Sequence, residues 1–527
     1  MRFLGFDISR RGEPSAPEAQ APGLPVAARR QALMRGRAVS KRSFEAGTTD
    51  RLSKTWSTAD LSDNMALRSK LRAMRGRSRT WSRDTEYGRK FLAMCQTNIV
   101  GSGGFALKVN CLNDAGKPDK ADSARIKAAY ARQAKRGQFD VTGKLSERLF
   151  DTLAVRMVAR DGEALIRLVE GRDRGNHGCQ LQLLPGHLLD EEHNRDLPGG
   201  ARIRMGVEFD AFMKPVAYHL RQVPQAGDMH GVTSQRYIRV PASEIIHLFL
   251  AEDAEQWRGV PWAYAALRGA WQLDKFDEAA LVAANVGASK MGFFRQIDPE
   301  AGPPMGAAEG DGEEGVGPEG PEFITSAEPG EFSVIPDGYQ FENFNPDYPN
   351  GVYEPFSKSV QRRMSAGLLV SYHGLTGDLR EVNFSSIRQG TLDEREIWML
   401  LQSWYIETVK EPVFTWWLGH AMVRDAELSR LPPSKFDKFN RPEFTGRRWG
   451  WVDPKADVQA NRESVALRTK SRAQIIREGG GDPDTVWAEL EEEEARGMTP
   501  PQAPGAAKEA KDDDDGDDEA AAEAEDK

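Results

Sequence analysis

Two histidines and two glutamates in the segment HLLDEEHN have side chains of the types that bind divalent metal ions in proteins. His187 and His193 flank Glu191 and Glu192, and imidazole nitrogens together with carboxylate oxygens are common zinc ligands. The segment stands alone, without a second pair of ligands elsewhere in the sequence. A surface turn between two strands explains it better, so no metal site is predicted.

Two other short segments resemble catalytic or cofactor-binding sequences. RDGE at 160–163 offers an acid pair, but a turn at Gly162 accounts for the same residues. GSGG at 101–104 follows a helical pattern rather than a strand, so it is predicted to end that helix and not to cradle a dinucleotide. The sequence contains no GxxxxGK(S/T), HExxH, paired CxxC or GxSxG motif.

These motif searches predict no catalytic residue, no cofactor and no enzyme. The enzymatic alternative is a nuclease or a protease, which would need clustered Asp, Glu and Lys or a Ser–Lys pair. No such cluster occurs at convincing spacing.

Aromatic and basic residues each allow two interpretations. Trp398, Trp404, Trp416 and Trp417 could stack on nucleic-acid bases, but their helical spacing favours burial against a neighbouring unit. Residues 29–90 hold seventeen Lys and Arg against six Asp and Glu. This excess could grip phosphates, or it could belong to an arm and to solvated helix faces that meet acidic neighbours.

Composition indicates a globular protein with charged ends. A chain of 527 residues is long enough for two to four domains of roughly 100–200 residues. No run of eighteen apolar residues and no secretory signal occurs. The three cysteines, none in a CxxC pair, indicate reduced thiols and cytoplasmic synthesis. The net charge of −9 is concentrated in the last twenty residues, which hold eleven acids and three lysines.

The order of predicted elements is that of an α+β protein. Two helical runs after residue 58 precede strands at ALIRLVE, CQLQLLP, RIRMGVEFD, PVAYHLRQV and IIHLFL, which predict an antiparallel sheet within 58–250. Residues 260–294 predict one helix of about 30 residues, roughly 45 Å long. A second helix, a polar loop and another long helix bent at Pro412 follow. A pair of helices comes near the C-terminus.

Four segments in this order resemble the lambda-type portal proteins of tailed bacteriophages and prophages. They are WSRDTEYGRKFLAMCQTNIVGSGGFAL, GVPWAYAALRGAWQLDKFDEAALVAA, MSAGLLVSYHGLTGDLREVNFSSIRQGTLDER and WVDPKADVQANRESVALRTKSRAQIIREGGGDPDTVWAEL. The likeness spans about 58–495 and implies the phage portal fold. That fold has a wing with an antiparallel sheet and long helices, a two-helix stem, a small α/β clip and a helical crown. The acidic insert and the acidic tail depart from the family's pattern.

The resemblance also implies where each part of the fold lies. The expected parts are a flexible basic N-terminal arm at 1–57, the wing at 58–259, a stem helix at 260–295, the clip at 296–350 with a disordered acidic insert at 298–322, the second stem helix at 351–370, a tunnel loop at 371–385, the long wing helix and return segment at 386–450, the helical crown at 451–497 and a disordered acidic tail at 498–527.

The family's function follows from the resemblance in the same way. It implies a homo-oligomeric ring, usually of twelve copies, at a unique capsid vertex of the virion, assembled in the host bacterial cytoplasm. Double-stranded DNA passes through the ring non-specifically during packaging by terminase and during ejection into the tail. The implied partners are the large terminase subunit, head–tail connector proteins, and the major capsid and scaffold proteins, with no membrane.

The polar loop would project into the channel where the second stem helix ends. Its polar side chains suit transient phosphate contacts, and its acids oppose tight binding to DNA that must slide. The candidate residues of this loop are Tyr372, His373, Asp378, Arg380, Glu381 and Asn383. Arg362 and Arg363, on the preceding helix, are further candidate phosphate contacts.

Overall fold

A computed structural model describes residues 62–222, 236–288, 292–296, 339–343, 351, 353–380, 384–449, 454–481 and 483–498. Its α-helices are α1 (Asp63–Asp84), α2 (Glu86–Cys95), α3 (Lys120–Gln133), α4 (Glu147–Asp161), α5 (Leu267–Ala288), α6 (Tyr353–Gly367), α7 (Tyr372–Thr376), α8 (Phe384–Tyr405), α9 (Glu411–Arg424), α10 (Phe436–Phe439), α11 (Pro454–Ala466), α12 (Arg472–Glu478) and α13 (Pro483–Ala495). Its strands are β1 (Ala106–Val109), β2 (Glu163–Glu170), β3 (Cys179–Pro185), β4 (Arg195–Asp196), β5 (Arg202–Arg204), β6 (Val207–Phe209), β7 (Pro215–Arg221), β8 (Tyr237–Pro241), β9 (Ile245–Phe249), β10 (Gly292–Gln296), β11 (Tyr339–Asn343) and β12 (Pro442–Thr445). The mixture of helices and strands confirms the predicted α+β class.

Strands β2 to β9 form antiparallel sheets, as their alternating sequences predict. One sheet has the order β3-β2-β9, in which Ile166 pairs with Leu183 on one side and with Ile246 on the other. A second sheet is the meander β4-β5-β6-β7-β8. The predicted strand RIRMGVEFD is wrong as one strand, because Met205 and Gly206 have positive φ angles of 46° and 84°. These two residues make a tight hairpin turn between β5 and β6.

The predicted helix over 260–294 is wrong at both ends. Helix α5 begins at Leu267 and ends at Ala288, which makes it about 33 Å long. Residues 262–266 form turns; for example, the Tyr264 N–H donates to the Pro261 carbonyl at 3.0 Å. Residues 292–296 form β10, which pairs antiparallel with β11. Short apolar runs such as MGFF fit a helix and a strand equally well, which explains the error.

The main hydrophobic core joins the β3-β2-β9 sheet to the surrounding helices. An aromatic group lies within it: the Tyr130 ring centroid is 4.9 Å from that of Trp417 and 5.5 Å from that of Phe414. Trp398 and Trp417 are 3% and 1% exposed, and Trp404 and Trp416 are partly buried against the same core. The predicted burial of the four tryptophans is therefore confirmed. Cys95, Cys111 and Cys179 are free and buried.

The long helix of the sequence is interrupted just before Pro412. A π-helical segment, Ile406–Lys410, separates α8 from α9, and Pro412 lies in the first turn of α9. Proline has no N–H to donate to the carbonyl four residues earlier, so the regular α-helical ladder cannot continue through it. The sequence predicts a break or bend at Pro412; the structure has a π-helical segment there instead, and Lys410 and Glu411 keep right-handed helical backbone angles.

The π-helical segment brings a lysine into the core. Lys410 is 2% exposed, and its Nζ donates to Glu147 Oε1 and, at 2.8 Å, to Asp151 Oδ2. The phenol of Tyr405 donates to Asp151 Oδ1 at 2.8 Å. Because a buried charge is costly without partners, this network fixes the register of the helix against α4.

Among the described residues, no helix has both the length and the apolarity needed to cross a membrane.

Candidate functional site

The segment after α6 is the candidate site, and it is partly helical where the sequence predicts a loop. Residues Tyr372–Thr376 form α7. The Ser371 hydroxyl accepts a hydrogen bond from the Gly374 N–H at 3.1 Å and caps the start of α7. Gly377, with φ of 76°, ends it in the left-handed conformation that glycine adopts without strain.

Glu394 of α8 fixes the start of α7 to the core. One carboxylate oxygen, Oε2, accepts from the Ser371 N–H at 3.1 Å, and the other, Oε1, accepts from Trp398 Nε1 at 3.0 Å. A carboxylate at a helix N-terminus also meets the positive end of the helix dipole. A Cβ added at Gly374 would lie 2.6 Å from Ser371 Oγ and 3.3 Å from Glu394 Oε2, so this arrangement requires glycine there.

Polar contacts then order the segment as far as Arg380. The Tyr372 phenol donates to Asp378 Oδ2 at 3.2 Å, and Asp378 Oδ1 accepts from the Arg380 N–H at 3.1 Å and from Arg380 Nε at 3.2 Å. Arg380 Nη2 lies 3.5 Å from Glu354 Oε1 of α6. Partial burial and the Asp378 carboxylate raise the pKa of Tyr372. The backbone N–H and the guanidinium of Arg380 lower the pKa of Asp378, so this carboxyl remains an acceptor.

The predicted loop residues face different surroundings. His373 Nε2 is buried and has no hydrogen-bond partner in the described part of the chain, and it lies 3.5 Å from where a Cβ would stand on Gly390 of α8. Arg380, in contrast, keeps 74% of its side chain exposed. Glu381 and Asn383 lie outside the described residues. The structure therefore brings Tyr372, Asp378 and Arg380 together and directs His373 towards α8.

The two arginines of α6 also differ in their surroundings. Both Arg362 and Arg363 are exposed. The guanidinium carbon of Arg362 lies 5.5 Å from the ring centroid of Tyr372, a cation–π distance. Arg363 instead lines a cleft between α5 and α6. Arg362 is thus the arginine of this pair that adjoins the polar segment.

The histidine–glutamate segment does not assemble as a metal site. Each side chain has its own partner: His187 contacts Arg79, Glu191 binds Arg75, Glu192 binds Arg68, and His193 stacks on Tyr237 at a centroid distance of 4.1 Å. No group of three or more His, Cys, Asp or Glu side chains in the described ranges is arranged to hold a metal ion. The segment does connect β3 to β4, as predicted. It is not wholly at the surface, however, because Glu191 is only 7% exposed.

The RDGE segment belongs to a buried ionic network. Gly162 ends α4 with φ of 90°, and the predicted turn at Gly162 joins this helix to β2. A Cβ on Gly162 would lie 2.4 Å from the Val260 carbonyl carbon. Glu163 begins β2, and its carboxylate binds Arg258 Nε at 2.9 Å and Arg75 Nη2 at 2.9 Å. Burial raises the pKa of Glu163, but the Arg258 guanidinium outweighs it and holds that pKa well below its usual range.

This network is structural because each charge is matched. Arg258 and Glu163 are both 0% exposed, and the Glu163 carboxylate also contacts His247 Nε2 at 3.0 Å and accepts from the Gly259 N–H at 3.2 Å. Asp161, also 0% exposed, binds Arg79 Nε at 2.8 Å. In the 62–90 part of the basic stretch, Arg68, Arg75, Arg79 and Arg83 thus pair with acidic side chains. Residues 29–61 lie outside the described residues.

The sequence reasoning missed the residues that hold the polar segment in place. Glu394 is one of several acids in GTLDEREIW, and nothing in that pattern marks it as a partner of Ser371, 23 residues away. Helix α7 itself had a signal: a serine three residues before Gly374 and a glycine at 377 are the start and stop residues of a short helix.

The described residues thus form a protein of helices and sheets in which Glu394 holds the start of the polar segment 371–380 on α8. The model of the phage portal protein, lambda family, matches residues 49–402. The chain therefore belongs to the lambda family of phage portal proteins, and the resemblance found in the sequence is confirmed. Portal proteins connect head and tail in the virion, which confirms the predicted location.

The chain is also similar to a named phage protein and to chains from two solved structures. The chain is 31% identical over 456 residues to the probable portal protein of Halomonas phage phiHAP-1 (Gulf of Mexico isolate), with 86% of each chain covered. Among solved structures, a chain from the neck of an empty gene transfer agent particle is 12% identical with a TM-score of 0.41, over 78% of this chain and 94% of that one. A chain from the virion of the native gene transfer agent particle is 13% identical with a TM-score of 0.40, over 80% and 95%.

Proposed function

We propose that the protein assembles into a ring, of twelve copies, at a unique vertex of the capsid, and that double-stranded DNA passes along the axis of this ring. Terminase drives the DNA inward during packaging, and the DNA later leaves through the same channel into the tail. The observation that carries the proposal is the ordered polar segment at 371–380. Glu394 holds its start on α8, and Arg380 reaches into solvent at its end.

The connectivity of the helices next to this segment supports a two-helix stem. Helix α5 leads to β10, β11 leads to α6, and β10 pairs with β11. The Tyr353 phenol donates to Asp277 Oδ1 at 2.9 Å, and the Tyr353 ring stacks on Phe276 at 5.7 Å. Two helices packed along each other and joined at one end by a strand pair form a rod, and rods repeated around an axis enclose a channel.

The proposal also assigns the other parts of the portal fold to segments of the chain. The wing comprises 58–259 and 386–450, the stem helices lie within 260–295 and 351–370, the clip lies at 296–350 and the crown at 451–497. The ring binds the large terminase subunit, head–tail connector proteins, and the major capsid and scaffold proteins. The arm at 1–57 and the acidic segments at 298–322 and 498–527 lie outside the described residues, apart from residue 498.

Within the channel, the polar segment touches DNA phosphates weakly. Arg362 and Arg380 supply positive charge, and Asp378 and Glu354 lie beside Arg380 and offset it. Each phosphate neutralised by an arginine strengthens binding and makes it more salt-dependent. A surface that holds DNA while letting it slide needs few such contacts.

Negative-stain microscopy of the purified full chain tests the ring. We expect closed rings with a central hole, and a chain that stays monomeric at every concentration contradicts the proposal.

Binding of short DNA duplexes to the rings tests the channel. Replacing Arg362 by Gln should reduce the slope of log affinity against log salt by about 0.9 or more, because each lost phosphate contact contributes about that much. The matched control is Arg496→Gln, which changes another exposed arginine, directly after the end of α13. An unchanged slope for Arg362→Gln, or an equal change for the control, rules out the assigned contact.

A further inference from the structure

Helix α5 presents bulky apolar side chains to solvent in the single chain. Trp271, Leu281 and Val282 are 61%, 64% and 56% exposed. Trp271 and Val282 are eleven residues apart, about three helical turns, so they share one face. Asp274, also exposed, lies next to Trp271 on the helix surface. Lys275 and Glu278 lie between Trp271 and Val282 on this face, and Leu281 lies about 80° to one side of Trp271. A tryptophan exposed in the single chain beside an unpaired acid can serve as an anchor at a contact surface; we call the face with Trp271, Asp274 and Val282 the Trp271 face.

The same pair of helices, α5 and α6, also carries a concave surface. It is a cleft of about 310 Å³ between α5 and α6, which we call the arginine cleft, lined by Ala265, Ala266, Arg268, Gly269, Gln272, Val360, Arg363 and Met364. At about 30 Å³ per water, it has room for roughly ten waters, enough for one large aromatic side chain. A Cβ on Gly269 would meet only Met364 Cγ, at 3.9 Å, so the floor of the cleft is open.

The arginine cleft carries unbalanced positive charge. Arg268 and Arg363 are both exposed at its rim, and neither forms an ion pair within the described part of the chain. The Trp271 face carries Asp274, which likewise has no ion-pair partner there, and Glu278, which pairs with Lys275 at 2.6 Å. The two surfaces therefore complement each other in charge.

We propose that the Trp271 face of one copy packs into the arginine cleft of a neighbouring copy, with Trp271 as the anchor and Asp274 facing Arg363. The inference rests on the ring of the proposed function and names the surfaces that join its members. Because the two surfaces differ, the contact is head-to-tail, and such contacts close into a ring when the rotation between copies allows. Tryptophan and arginine are also the residue types that contribute most at interfaces.

A second copy fits these surfaces better than DNA does. Phosphates would neutralise Arg268 and Arg363 but would leave Trp271 and Val282 in water. A neighbouring chain covers the apolar face and balances the charge in a single contact.

The test measures assembly of the full chain by light scattering and native mass spectrometry over a range of concentrations. Trp271→Ala should raise the concentration at which half the subunits are in rings by about 30-fold or more, the usual effect of truncating an anchor residue. Val423→Ala, which alters a 76% exposed apolar side chain on α9, is the control and should leave assembly unchanged.

Charge reversal tests the pairing itself. Asp274→Arg and Arg363→Asp should each weaken assembly, and the double variant should restore it, since the opposite charges then face each other again. Circular dichroism should show wild-type folding throughout, because both side chains are exposed.

The outcomes separate this inference from the proposed function. A wild-type chain that forms no rings contradicts the proposed function. Wild-type rings together with unimpaired Trp271→Ala rings overturn the inference alone, as does a double variant no better than the single ones. Intact Arg363→Asp rings with weakened DNA binding would assign the cleft to DNA and also overturn it.

Discussion

Replacing Glu394 by Gln should loosen the start of α7 without unfolding the protein. The carboxylate of Glu394 accepts from the Ser371 N–H through one oxygen and from Trp398 Nε1 through the other. An amide has only one oxygen, so its NH₂ group must face one of these two donors. The change removes one hydrogen bond and leaves a half-buried donor without an acceptor.

The size of the effect follows from the type of bond. A hydrogen bond to a charged acceptor stabilises by about 1.5–3 kcal/mol, and about 1.4 kcal/mol corresponds to a tenfold change in an equilibrium constant. The local opening of α7 should therefore become about 10- to 150-fold more frequent. The free energy of global unfolding should change far less, because opening of a short surface helix leaves the core intact.

Amide hydrogen exchange measures this opening directly. The informative amides are those of Leu375 and Gly377, which donate to the carbonyls of Ser371 and His373 at 3.1 and 2.9 Å. Glu396→Gln, on the same helix but fully at the surface, is the matched control. If Glu394→Gln leaves the exchange of 371–377 at the wild-type rate, Glu394 does not hold the segment.

Two further predictions concern the buried charges. Glu163→Ala should lower the free energy of unfolding by about 3–5 kcal/mol, because it leaves the buried charges of Arg258 and Arg75 without their partner. Urea denaturation measures this change, with the exposed Glu492→Ala as control. A loss below about 1 kcal/mol would contradict the structural role of the Glu163 carboxylate. Burial raises the pKa of Asp151 from 3.8 to about 6, so the folded state keeps a proton that the unfolded chain releases. This contribution to stability is therefore lost as the pH rises from about 4 through 6. Asp151→Asn should remove that part of the pH dependence of the free energy of unfolding. If the free energy of unfolding of wild type and variant changes with pH in the same way over this range, Asp151 does not titrate there.

Local patterns in the sequence predict strands well where a short apolar run is bounded by glycines. CQLQLLP coincides with β3, and ALIRLVE lies within β2, in which Ala164, Leu165 and Ile166 are all fully buried, as in a strand covered on both faces. The irregularity before Pro412 is also local, since it accompanies one missing N–H. Errors arise where the same residues suit two structures, as at MGFF after α5.

The contacts of the buried charges are long-range and leave no such pattern. Arg75 and Glu163 are 88 residues apart, and Lys410 and Asp151 are 259 apart. Before folding, each of these charges is indistinguishable from a solvated surface charge. The polar residues of the loop could be named from sequence, but the roles of Glu394 and Glu354 depend on helices that meet only in the folded chain.

The π-helical segment before Pro412 lets the helix absorb a change in chain length. A π-helical turn holds one more residue than an α-helical turn, because its hydrogen bonds span five residues instead of four. Losing one residue from 406–410 would therefore leave a regular α-helix in which Phe414 and Trp417 still face Tyr130. We expect length differences among relatives in this helix to be single residues placed within 406–410.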